Sequence, residues 1–135
     1  MKRYKQFAIF LLTICIAFAL AACGDSEPDV FTSLQSFEFH FFPEEYEEEY
    51  NEYEKTITLE EDREYQFQVN AACKSGTIDI NMIYGNAEAK KYTVNSFVPC
   101  SDTISIPANI TDTVCFTITI TPETKGDVVV EVYVR

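Results

Sequence analysis

From Phe37 to the C-terminus, apolar side chains recur at every second position. FEFHFF sets Phe37, Phe39 and Phe41 on one side, TITL sets Ile57 and Leu59, and YQFQVN sets Tyr65, Phe67 and Val69. The rhythm returns in Ile78, Ile80 and Met82, in Tyr92 and Val94, and in Ile104 and Ile106. It is longest in Val114, Phe116, Ile118 and Ile120 and in Val128, Val130, Val132 and Val134. Successive side chains of a strand point to opposite faces, so a period of two in β-branched and aromatic residues predicts half-buried strands. The intervening positions carry Thr, Gln, Asn and Glu, which suit water. EEDRE, KSG, YGNAEA, VPCSD, PANITD and PETKG break the runs. Seven or eight antiparallel strands in two packed sheets are expected, an all-β sandwich.

One segment departs from this period. PEEYEEEYNEYEK, residues 43–55, holds seven glutamates between 44 and 54, with tyrosines at 46, 50 and 53. Spacings of four and three put Tyr46, Tyr50 and Tyr53 on one side of a helix. Pro43 suits a first helical turn, and glutamates there favour the helix dipole. A short acidic helix, or a loop with one turn, is expected. Three roles compete for it. It can be a solvated connection whose tyrosines cover a sheet edge. It can be a contact surface for an envelope protein or a glycan, since tyrosine offers area with a polar tip. It can be a calcium site, with glutamates as hard oxygen ligands. The ligand-binding candidates are Glu44, Glu45, Tyr46, Glu48, Tyr50 and Tyr53, although their spacing matches no EF-hand loop.

The N-terminus is different in kind. Lys2, Arg3 and Lys5 precede an apolar run from Phe7 to Ala22 that only Thr13 interrupts. A spanning helix needs ~20 apolar residues, so the run is short for one, and its small-residue finish describes an export signal. Leu20-Ala21-Ala22-Cys23 resembles the lipobox of bacterial lipoproteins. The resemblance covers residues 1–24 and implies cleavage before Cys23 and a thioether-linked diacylglycerol on its thiol. An ordinary signal peptide cut after an alanine is the alternative. The resemblance implies residues 1–22 as signal and Cys23 as the lipidated residue; residues 23–35 then read as lipidated cysteine and tether, and the strand rhythm assigns 36–135 to the sandwich. It also implies a chain anchored to membrane lipid on the extracytoplasmic face of the cell membrane. Two acyl chains make a stable anchor where one is marginal.

Cleavage there removes three basic residues and no acidic one, moving the formal net charge from −12 to −15. Nucleic acid is a poor partner for such a surface, because its binding requires cationic neutralisation of phosphate. Of five cysteines, Cys73, Cys100 and Cys115 remain beyond the signal and the lipidated residue. If successive strands run up and down, Cys73 and Cys100 lie at the same end, so they are the favoured disulfide. Cys115 alternates out of phase with Val114 and Phe116 and is expected to face outward. Three reduced thiols are the alternative.

Catalytic signatures are missing. His40 is the single histidine and alternates with phenylalanines beside Glu38; a lone strand histidine is usually a surface residue. There is no serine in a G-x-S-x-G setting, so a triad is unsupported. Asp79, Asp102, Asp112 and Asp127 could supply a hydrolase pair only if folding joined two of them. The strand rhythm of residues 36–135 resembles, loosely, small secreted β-sandwich modules of the immunoglobulin-like, pre-peptidase C-terminal and carbohydrate-binding jelly-roll types. That resemblance implies a non-catalytic binding or structural module and carries no site residues. Tryptophan is absent; Tyr46, Tyr50, Tyr84 and Tyr133 are the rings able to stack on a sugar.

Overall fold

A computed structural model describes residues 30–85 and 88–135. The signal segment, Cys23 and the first part of the tether lie outside the described residues. Eight strands form: β1 Thr32–Phe41, β2 Glu52–Thr58, β3 Tyr65–Ser75, β4 Ile78–Tyr84, β5 Glu88–Val94, β6 Cys100–Ile106, β7 Thr113–Ile120 and β8 Lys125–Val134. β1 begins ahead of residue 36, so the last residues assigned to the tether are strand. The strands make two four-stranded antiparallel sheets, with orders β1-β8-β3-β6 (sheet A) and β2-β7-β4-β5 (sheet B).

Alternation decides what is buried. Along β7, Val114, Phe116, Ile118 and Ile120 turn inward while Thr113, Cys115, Thr117 and Thr119 turn out. β8 repeats this with Val128, Val130, Val132 and Val134. Phe67 of β3 and Phe116 of β7 are fully buried and meet across the two sheets, ring centroids 5.8 Å apart. Phe37 and Phe39 are half-buried because β1 is an edge strand. A bulge between Ser33 and Gln35 interrupts that edge, which discourages pairing with another chain.

The ends of the sandwich are latched by side chains. At one end, buried Thr124 donates from Oγ1 to the Thr77 carbonyl (2.9 Å) and accepts from the Thr121 amide (3.0 Å). The first bond joins the β7–β8 turn to the β3–β4 turn, and the second ties the β7–β8 turn to itself. At the other end, Asp62 and Asn109 both have positive φ and bond each other reciprocally. Asn and Asp tolerate that conformation better than other side chains.

Candidate functional site

Pro43–Glu45 and Glu48–Tyr50 are separate single 3-10 turns, not the continuous acidic helix expected. The tyrosine stripe is therefore not formed. Tyr53 lies in β2 and packs between the sheets against Phe39 and Phe41, centroids 5.8 and 5.3 Å away. Tyr46 is half-buried against the core, while Tyr50 is 65% exposed. Glu44, Glu45 and Glu48 are exposed. Among the described residues, no group of three or more His, Cys, Asp or Glu side chains is placed to hold a metal ion. Tyr46 and Tyr53 of this connection close an edge of the sandwich, while Tyr50 faces water.

Cys73, Cys100 and Cys115 are free thiols. Cys73 and Cys100 lie at the same end, as the strand directions required, but the expected bond between them is not formed. Register explains this. Cys100 pairs with Ala71, so Cys73 is its diagonal neighbour, and diagonal pairs sit ~7–8 Å apart, beyond the usual disulfide span. The thiols also aim apart, Cys73 to the Ser75 carbonyl (2.7 Å) and Cys100 to that of Val69 (3.9 Å). Burial and the Asp102 carboxylate push the Cys100 thiol pKa up, keeping it protonated. Cys115 faces outward beside Thr56.

His40 sits on the outer face of sheet A between two carboxylates, Nδ1 to Asp127 (2.6 Å) and Nε2 to Glu38 (3.3 Å). The bond to Asp127 is the main reason its pKa is raised above 6.5; the Asp127 charge and Glu38 add to it, and desolvation opposes them. A folded-state pKa above the unfolded value means the stabilisation is complete below pH 6.5 and fades as pH rises through the raised value. His40, the single histidine, should titrate above 6.5 by NMR, and the melting temperature should fall across that window. Asp127→Asn should flatten the fall; an unshifted titration would refute the bridge. The four candidate aspartates lie apart. Asp79 is outside sheet B and Asp127 outside sheet A. Asp102 accepts from the Tyr92 hydroxyl (2.7 Å) between the sheets, and Asp112 lies in the β6–β7 loop. Burial and Asp102 push the Tyr92 pKa up, which keeps its hydroxyl protonated as the donor in this inter-sheet bond.

Among the described residues, a polar groove of about 340 Å³ lies on the outer face of sheet B. It exists because register lines up outward residues from distant parts of the chain. One row crosses the sheet as Glu52, Thr119, Asp79 and Thr93. The next contains Thr117, Asn81 and Lys91. Thr93 donates to Asp79 (2.7 Å). The Asn81 side-chain carbonyl is shielded from water and has no hydrogen-bond partner. Glu52 and Asp79 are separated by β7, two strand spacings or ~9.5 Å. The sequence marks Asp79 as one of four candidate carboxylates, places Glu52 in the acidic segment, and reads the others as outward-facing polar positions.

No protein-family model matches the chain, and no curated protein matches it. Among solved structures it is similar to one described as "CBM4 structure and function", with 11% identity and a TM-score of 0.36 over 82% of this chain and 77% of that chain. So loose a likeness leaves function to the chain's own surfaces. Among the hollows formed by described residues, the groove combines concavity with the unpartnered Asn81 carbonyl on a floor of paired strands. A second hollow of about 330 Å³ outside sheet A has an apolar floor of Ala72, Pro99 and Val129. A third, of about 290 Å³, is formed by the β2–β3 and β6–β7 loops.

Proposed function

We propose that this chain is a non-catalytic binding module, held by lipid on Cys23 at the extracytoplasmic face of the membrane, that engages its ligand through the outer face of sheet B. The observation that carries the binding role is the preformed groove with its unpartnered Asn81 carbonyl. Strands hold such groups in fixed positions, which lowers the ordering cost of recognition. The lipobox at 20–23 supports the anchor. Val30 leads into β1 at the end opposite the Thr124 latch, so an anchored module stands with its 42–51 connection away from the bilayer.

The anchor is tested by mass spectrometry of the membrane fraction. Wild-type chain should carry diacylglycerol, and Cys23→Ala should lose both the lipid mass and membrane retention. Lipid persisting on the variant would refute the assignment. A hydrolase is the second reading, favoured by Glu52 and Asp79 lining the same groove from β2 and β4 on either side of β7. Both residues are exposed on an open face, whereas such chemistry is normally enclosed from bulk water. Release of reducing ends from an oligosaccharide would establish this reading instead.

A further inference from the structure

We infer that the sheet B groove takes a neutral oligosaccharide; the inference rests on that face being the binding surface. Its chemistry narrows the ligand. Thr117, Thr119, Glu52 and Lys91 line or flank it with side chains that bond no described residue, and Asn81 adds a shielded carbonyl without a donor. An orphaned buried acceptor is rare in folded proteins and calls for a reason. The amide torsion of asparagine is soft, so the carbonyl can turn to meet a hydroxyl entering the groove.

Other classes fit worse. An apolar ligand would leave these groups desolvated and unpaired. A polyanion meets Glu52, Asp79 and a chain of net charge −12. A bare metal ion finds no cluster of three ligands among the described residues. Clustered hydroxyls answer the whole set, because each can donate to a carboxylate or to Asn81 and accept from Lys91 or a threonine. The rows cross four strands, ~14 Å from β2 to β5, which suits a short run of sugar rings rather than a single one. Tyr92 is the aromatic residue among those lining the groove, and its hydroxyl is held by Asp102 between the sheets, so specificity comes from hydroxyl pattern rather than stacking.

Titration of the full solubilised chain with neutral oligosaccharides (gluco-, xylo-, manno- and chito-series), by calorimetry and by NMR at millimolar ligand, tests this. Binding of at least one series is expected, with shifts confined to β2, β4, β5 and β7. Asn81→Val removes the orphan carbonyl and inserts a strand-favouring residue. It should raise the melting temperature by several degrees while weakening binding about tenfold, the equivalent of one lost hydrogen bond. Thr117→Ala is the companion variant and should weaken binding without raising stability. No binding by any neutral series, or binding that both variants leave intact, overturns the inference. If an anionic polymer or a defined envelope protein instead binds wild type and is lost with Asp79→Ala, the groove remains a binding surface and only the oligosaccharide assignment fails.

Discussion

Replacing Phe116 with alanine is expected to cost about 3–5 kcal/mol of stability. Phe116 is fully buried at the centre of sheet B, its ring facing Phe37 (5.5 Å) and Phe67 (5.8 Å) of the opposite sheet. The loss has two parts, the transfer free energy of the ring and the cavity left behind. The cavity cannot close easily, because the hydrogen-bonded ladders to β2 and β4 fix β7 on both sides. A domain of this size has only ~5–15 kcal/mol in total, so the variant should be partly unfolded at physiological temperature. The measurement is a urea unfolding curve, whose midpoint should drop while its slope stays constant. Phe97→Ala is the internal control. Phe97 is 92% exposed, and its removal should change stability by less than ~0.5 kcal/mol. Similar costs for the two would contradict the two-layer packing.

The same packing explains how far the sequence could be read. Eight apolar runs became eight strands because a period of two admits no other regular element, and Cys115 faced outward for the same reason. The β2 boundary was obscured by Lys55. It occupies an inward-phase position between Tyr53 and Ile57 yet stays exposed, which an edge strand permits. With that position polar, Tyr53 fitted the four-three spacing of a helix better than the alternation of a strand. Strand order was the larger loss. Alternation assigns Asp79 and Thr119 to outward faces, and Glu52 fell in the expected helix, but nothing in the sequence says that β4, β7 and β2 are neighbours. The groove is made only by that adjacency, so of its residues only Asp79 stood out, as one of four candidate carboxylates, and not for its part in a groove. Cys73 and Cys100 show the limit at finer scale. Strand direction gave the correct end, but only the register Ala71–Cys100 reveals that they are offset diagonally.

Two glycines with nearly the same backbone conformation should respond very differently to alanine. Gly76 has φ +70° and Gly85 has φ +69°, so a side chain at either incurs the left-handed cost of about 1–2 kcal/mol. Around Gly85 there is space, the nearest atom to an added Cβ being the Ile110 carbonyl oxygen at 3.9 Å. At Gly76 an added Cβ would lie 2.6 Å from the Thr124 amide nitrogen and 2.7 Å from its Cα. That obstacle is backbone, and it is pinned by the bonds of Thr124 to Thr77 and Thr121. Neither turn can yield without releasing the buried Thr124 hydroxyl. Gly76→Ala should therefore cost about 3 kcal/mol or more, against about 1–2 for Gly85→Ala. Paired denaturation curves measure the difference, which isolates the close approach from the conformational term. Thr124→Ala combined with Gly76→Ala should cost less than the sum of the two single changes, since each loosens the same contact between turns. Equal effects of the two glycine variants would mean that the β3–β4 and β7–β8 turns are not in backbone contact, and the latch at that end of the sandwich would have to be abandoned.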